Sequence, residues 1–270
     1  MIISASRRTD IPAFHSDWFM NSLRQGFVEV KNPYNPDQVS QVSLLPGEVD
    51  AIVFWTKNPA PLLGHLDEIE ELGHRFYFQF TLNDYPEDLE PNVPPLAERI
   101  DTFIKLSERI GPRRVVWRYD PIILSNKTGA DYHRRAFGNL GAKLGPHTRR
   151  VMVSLIDYYK KTKRNLKPLD YQFDFEAAER PETDELLRDL SRMARERSLE
   201  IFTCAQERDY TGLGIPPGRC VDGELIEDLW GIKKPWKKDP SQRKHCLCTQ
   251  SRDIGAYGTC RHECTYCYAR

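Results

Sequence analysis

The sequence closes on three cysteines, Cys260, Cys264 and Cys267, in the spacing CxxxCxxC, with Tyr266 directly before the last of them. Three thiolates can bind three irons of a cubane 4Fe–4S cluster and leave the fourth iron open to a small molecule. A fourth protein ligand would close such a site, as in electron-transfer ferredoxins and structural zinc sites. The spacing of this tail triad therefore predicts an open iron–sulfur cluster.

This spacing, with its aromatic residue, resembles the signature of radical S-adenosylmethionine (radical SAM) enzymes. In that family the open iron chelates the amino and carboxylate groups of S-adenosylmethionine, and the reduced cluster cleaves the sulfonium to give a 5′-deoxyadenosyl radical. The resemblance implies both cofactors, Tyr266 beside them, and a reductant such as flavodoxin or ferredoxin. The motif departs from most of that family in position, because it ends the sequence here and does not follow the first strand.

Two more stretches carry a narrower resemblance. They are the opening Ile2-Ile-Ser-Ala-Ser-Arg-Arg-Thr-Asp-Ile-Pro12 and the run from Cys246-Leu-Cys248 through Ser251-Arg-Asp-Ile-Gly-Ala-Tyr257. With the tail triad they resemble the domain-of-unknown-function family 1848, whose members carry a radical-SAM-like cysteine cluster at the C-terminus. The likeness covers essentially the whole chain; it implies cofactor chemistry and supplies no substrate.

The tail triad also has a zinc interpretation, in which His262 or His245 completes a Cys₃His site. Zinc ligands are usually spaced as CxxC pairs, and only Cys264 and Cys267 form one. The resemblance favours the iron–sulfur cluster, with His262 as a spacer or a nearby hydrogen-bond donor. Two functions follow: a radical SAM enzyme acting on an unknown substrate, or a non-catalytic barrel pinned by zinc or a saturated cluster.

The four remaining cysteines, here called the second cysteine group, are Cys204, Cys220, Cys246 and Cys248. Four converging thiols could hold an auxiliary 4Fe–4S cluster or a structural zinc ion, and the iron–sulfur context of the tail favours the cluster. The alternative is that these cysteines are buried small hydrophobic residues, because CxC is a less diagnostic spacing than CxxC.

The elements that must position these thiols alternate between short apolar runs and amphipathic stretches. Six runs predict strands, at 1–5, 50–55, 75–82, 114–119, 149–156 and 199–204. Helical spacing follows Pro95 and Pro181, and weaker helical patterns cover 18–23, 61–72 and 131–144. Six βα units predict an α/β fold, a partial (β/α)6 TIM-like barrel. We assign 1–205 to this core and 206–270 to a cysteine-rich iron–sulfur segment packed on it.

Polar residues follow each predicted strand, where α/β barrels carry their chemistry. The S-adenosylmethionine candidates are Thr56, Lys57 and Asn58 for the amino acid end, Arg118 and Asp120 for a carboxylate and a ribose hydroxyl, and Ser154 and Asp157 as further polar contacts. Each ending is also typical of turn and helix-cap chemistry, and Arg118 could simply pair with Asp120. We expect the tail to fold over this open mouth of the barrel, since a remote cluster could not direct a radical to substrate.

Composition indicates which binding partners and which cellular compartment are expected. Lysine plus arginine and aspartate plus glutamate both number 39 in 270 residues, so no overall field favours nucleic acid or an anionic membrane. The basic runs at 160–164 and 233–238 are typical of solvated loops, although the second could meet an anionic substrate. Seven clustered cysteines without a signal peptide or a membrane-spanning run predict a cytoplasmic protein.

Overall fold

A parallel β-sheet forms the centre of the computed structural model, which describes residues 1–33 and 35–270. Eight strands pair in the order β10-β1-β4-β5-β6-β7-β8-β9, and every pairing is parallel. The strands are β1 (Ile2–Ala5), β4 (Ala51–Thr56), β5 (Phe76–Thr81), β6 (Val115–Ile122), β7 (Arg150–Leu155), β8 (Glu200–Cys204), β9 (Pro217–Gly218) and β10 (Ser251–Asp253). The two remaining strands, β2 (Phe27–Asn32) and β3 (Asn35–Ser43), form an antiparallel hairpin.

Eight α-helices accompany these strands in the described residues. They are α1 (Ile11–Phe14), α2 (Ser16–Gln25), α3 (Leu66–Glu71), α4 (Leu96–Ile110), α5 (Ala130–Leu144), α6 (Lys160–Leu166), α7 (Pro181–Arg195) and α8 (Gly223–Trp230). Helix α4 shows why they form: Ile100, Phe103, Leu106 and Ile110 make one buried face. It ends at Gly111, whose φ of 90° is accessible to glycine without strain.

The predicted α/β architecture is confirmed, and all six predicted strands are present at the predicted places. The sheet has two further strands, because β9 pairs with β8 and β10 pairs with β1 at the opposite edge. The result is a half-barrel, in keeping with a partial TIM-like barrel. Both edge strands and α8 come from the cysteine-rich segment after residue 205.

The two faces of the sheet bury different sets of side chains. On β5, Phe76, Phe78 and Phe80 pack under the helices, whereas Tyr77 faces the concave side. That concave side is covered by α8 and by the residues around Cys246 and Cys248. Burying one phenylalanine side chain stabilises the fold by roughly 1.5–3 kcal/mol, so the outer layer supplies much of the core energy. The concave side buries a second apolar cluster, in which Val53, Val116 and Met152 pack with α8 and with cysteine side chains.

Within the described residues, no helix is both long enough and apolar enough to cross a bilayer.

Helix α5 carries a buried histidine with a consequence for acid stability. His133 Nδ1 lies 2.7 Å from the Tyr119 hydroxyl, and Nε2 lies 3.0 Å from the Ile123 carbonyl oxygen. Burial lowers the pKa of His133 to about 4. The unfolded chain binds this proton near pH 6.5 and the folded chain resists it, so stability is lost as the pH falls from about 6.5 to about 4.

We therefore expect His133→Gln to flatten the acid limb of the stability curve. The wild-type protein should lose about 3 kcal/mol of unfolding free energy through His133 alone between pH 7 and pH 4. Urea unfolding at a series of pH values measures this loss in both proteins. The partly exposed His65, replaced in the same way, is the control, and parallel curves for wild type and His133→Gln would contradict the assignment.

Candidate iron–sulfur site and concave-face cysteines

The tail containing the triad lies over the carboxyl ends of β1, β4 and β5. The Tyr268 hydroxyl donates to the Arg7 carbonyl oxygen after β1 at 3.0 Å, and the Thr265 N–H donates to the Leu89 carbonyl oxygen after β5 at 3.0 Å. This is the face on which parallel α/β sheets build their sites. The tail thus folds back over the mouth of the barrel, which is the position expected from the sequence.

Asp10 joins the tail to two loops at this mouth. Its Oδ1 accepts the Ala13 N–H at 2.9 Å and caps α1, while its Oδ2 accepts the Lys57 N–H at 2.7 Å. His262 Nε2 lies 2.9 Å from the same Oδ2, and its ring packs edge-on against Phe14. His262 therefore has a positioning contact with Asp10, which agrees with its interpretation as a donor near the site.

Glu90 makes a second anchor, fully inside the protein. Its Oε1 accepts from Lys57 Nζ at 2.7 Å and from the Tyr266 hydroxyl, and Arg99 Nη1 lies 3.7 Å from Oε2. Burial opposes the charge on this carboxylate, yet Lys57 and Arg99 hold the pKa of Glu90 below its usual value. Burial likewise opposes the charge on Lys57, and Glu90 and Cys264 raise the pKa of that ammonium group. Both groups therefore remain charged. Through Glu90, this ion pair holds Tyr266, the aromatic residue of the cysteine motif, in place.

Burial makes the thiolate forms of Cys260 and Cys264 less favourable, and polar neighbours offset part of this effect. Burial raises the pKa of Cys264, and the Lys57 ammonium group acts in the opposite direction. The Ala269 N–H donates to Cys267 Sγ at 3.3 Å. Burial raises the pKa of the Cys260 thiol, and the backbone of His262 and of Asp10 acts in the opposite direction. N–H donors and a nearby cation are the surroundings that stabilise metal-bound thiolates.

The second cysteine group comes together on the concave side of the sheet. The Sγ atoms of Cys204 and Cys220 are 3.0 Å apart, and Cys248 interacts with both Cys220 and Cys246. The Val221 N–H lies 3.5 Å from Cys248 Sγ. The Cys220 carbonyl oxygen accepts hydrogen bonds from Tyr77 Oη and Gln79 Nε2, both at 2.7 Å. Two residues of β5 therefore hold the backbone of Cys220 in place.

Across the described part of the chain, no three histidine, cysteine, aspartate or glutamate side chains are arranged around a single metal ion. In a tetrahedral zinc site the sulfur atoms are about 3.8 Å apart, from a Zn–S distance of about 2.3 Å. A cubane binds each thiolate through a different iron, so its ligands need not share one centre. The donor set of the tail triad thus fits an open cluster through its chemistry and its N–H donors.

The cofactor candidates after β4 are engaged with the protein. Thr56 Oγ1 accepts the Asn58 N–H at 2.9 Å, and Asn58 Oδ1 accepts the Ala60 N–H at 3.2 Å. These are turn contacts, the expected alternative to cofactor binding for polar residues that follow a strand. Lys57 alone among them reaches the tail triad, through its charge beside Cys264.

The candidates after β6 and β7 form a separate network. Arg118 pairs with Asp120 Oδ2, and Ser154 donates to Asp120 Oδ1. Arg118 Nη1 also donates to Cys220 Sγ at 2.6 Å, so this arginine belongs to the surroundings of the second cysteine group. Asp157 pairs with Arg243 near the surface.

Sequence reasoning did not single out Glu90, Arg99 or Asp10 as functional residues. The sequence does contain a signal for Asp10, because this residue belongs to the polar run after the first strand. Glu90 lies nine positions beyond the end of β5 and belongs to no motif, so no local signal marks it.

The sequence profile of a family described as domain of unknown function (DUF1848) matches residues 2–269. No curated protein and no solved structure matches the chain. The match spans the barrel, the second cysteine group and the tail triad alike. This chain therefore belongs to the DUF1848 family.

Proposed function

We propose that this protein is a radical SAM enzyme whose 4Fe–4S cluster is held by Cys260, Cys264 and Cys267. The observation that carries the proposal is the position of these thiols at the carboxyl mouth of a half-barrel, where Lys57 lies beside Cys264 and the Ala269 N–H donates to Cys267 Sγ. When bound, the cluster and S-adenosylmethionine would supply reductive cleavage of the sulfonium and a radical for hydrogen abstraction. The substrate is unknown.

The protein's own residues would hold and shield this chemistry. Glu90 fixes Tyr266 and Lys57, and Asp10 fixes His262, so the cysteine motif is tied down on both sides of Cys264. Within the proposal, the mouth residues Thr56, Lys57 and Asn58 remain candidates for the amino acid end of S-adenosylmethionine. Asp120 remains the candidate for its ribose hydroxyl, with Ser154 and Asp157 as further polar contacts, and Arg118 would have to leave Asp120 to bind a carboxylate.

The proposal includes a partner and a compartment. A flavodoxin or ferredoxin would deliver the electron to the tail cluster, as in the radical SAM enzymes that the cysteine motif resembles. Seven free cysteines favour the reducing cytoplasm as the location.

The open iron gives the proposal a direct test by electron paramagnetic resonance. Adding S-adenosylmethionine to the anaerobically reconstituted, reduced protein should change the spectrum, because the cofactor occupies the fourth iron's free position. The Cys246→Ser/Cys248→Ser variant keeps the tail triad and should show the same change. 5′-Deoxyadenosine should accumulate in parallel. A spectrum indifferent to S-adenosylmethionine would leave the alternative, a metal-binding barrel without catalysis.

A further inference from the structure

We infer that Cys204, Cys220, Cys246 and Cys248 form a second metal centre, a four-thiolate site on the concave side of the sheet. The inference stands on these residues alone and does not need the tail triad to be catalytic. Its ligand chemistry suits either one zinc ion or one auxiliary 4Fe–4S cluster.

Convergence from three separate segments is the first argument. Cys204 ends β8, Cys220 follows β9, and the CxC pair comes from the irregular stretch before β10. Cys204 and Cys220 Sγ lie 3.0 Å apart, slightly closer than two thiolates on one zinc ion. If these two thiols moved slightly apart, they could both bind one metal ion. The thiols do not surround one common centre in the described residues, so binding a metal requires them to rearrange.

The polar surroundings give the second argument. Arg118 donates to Cys220 Sγ from one side, and Arg7 interacts electrostatically with Cys248, Cys220 and Cys246 from another. A guanidinium group donates strongly to a thiolate and only weakly to a neutral thiol, which is a poor acceptor. Asp120 and Asp253 offset part of this positive charge.

Trp55 lies between the same two arginines, with its ring 4.9 Å from the Arg118 guanidinium carbon and 5.3 Å from that of Arg7. Its indole N–H is buried and makes no hydrogen bond to the described residues. A donor of this kind suits a site that gains thiolate or sulfide acceptors when it is loaded.

The third argument is the backbone between α8 and β10. This stretch, 231–250, contains no helix or strand and has one isolated bridge, between Lys238 and Thr249. Backbone hydrogen bonds already hold it, such as the one from Asp239 N–H to the Cys248 carbonyl oxygen at 2.9 Å, and a metal bound to Cys246 and Cys248 would add a further tether.

Metal analysis of the triad variant Cys260→Ala/Cys264→Ala/Cys267→Ala tests the inference. After anaerobic expression, this variant should retain about one zinc, or about four irons with matching sulfide, per chain. Adding Cys246→Ser/Cys248→Ser should remove that metal, whereas adding Gln250→Ala, an exposed neighbour, should not. Zinc without sulfide identifies the single ion, and iron with sulfide identifies the cluster.

X-ray absorption on the triad variant gives a result that does not depend on the folding of any further variant. Four sulfur neighbours at about 2.3 Å from the metal support the site. A folded triad variant without stoichiometric metal would overturn the inference. Bound metal with nitrogen or oxygen neighbours, or metal that survives Cys246→Ser/Cys248→Ser, would overturn it as well. The radical SAM proposal is unaffected by these outcomes, since its own test is the spectral response to S-adenosylmethionine.

Discussion

Cys264→Ala is expected to abolish both the tail iron–sulfur cluster and the reductive cleavage of S-adenosylmethionine. Cys264 is the central and most deeply buried thiol of the tail triad, beside the Lys57 charge. Two remaining thiolates cannot hold three irons, so about four irons and four sulfides per chain should be lost. Iron and sulfide assays, visible absorbance and 5′-deoxyadenosine formation measure the loss.

Arg261→Ala is the matched control, because Arg261 is exposed and lies inside the same motif. It should keep the cluster and the cleavage activity. Circular dichroism must show that Cys264→Ala is folded, since the substitution also removes a buried group. A folded Cys264→Ala protein with full iron content at the tail would refute the assignment of the triad.

Glu90→Ala is expected to lower the free energy of unfolding by about 3–5 kcal/mol, the cost of leaving a buried charge without its partner. Lys57 and Arg99 would lose their common counter-charge, and the Tyr266 hydroxyl would lose its acceptor. Urea unfolding measures the change, and the exposed Glu87→Ala is the control. Iron content should fall too, because the anchored motif is released.

A double substitution separates the charge effect from lost packing. Lys57→Met combined with Glu90→Leu removes both charges of the main pair and should recover part of the stability lost in Glu90→Ala. Arg99 limits the recovery, because its charge remains buried. If Glu90→Ala lowered the free energy of unfolding by less than about 1 kcal/mol, the Lys57–Glu90 pair would contribute no more than a surface ion pair does, which would contradict the prediction.

The sequence by itself determined the main strands, several helices and the close spacing of the three cysteines in the tail. A buried strand such as β5 can be recognised as a short continuous apolar run, because a strand of a parallel sheet is covered on both faces. The CxxxCxxC spacing is local in the same sense, since its thiols are at most seven residues apart. Such signals depend on neighbours along the chain, so they can be read without the fold.

Only the tertiary structure decided which distant residues meet. Asp10 and His262 are 252 positions apart, and Glu90 and Tyr266 are 176 apart, yet each pair is in contact. Strands β9 and β10 are too short to have a pattern, and they form because an existing sheet edge offers hydrogen-bond partners. The grouping of Cys204 and Cys220 with the CxC pair likewise follows from the pairing of β8 with β9 and from packing on the concave side of the sheet. Contacts of this kind are set by packing and charge pairing in three dimensions, which no local spacing encodes.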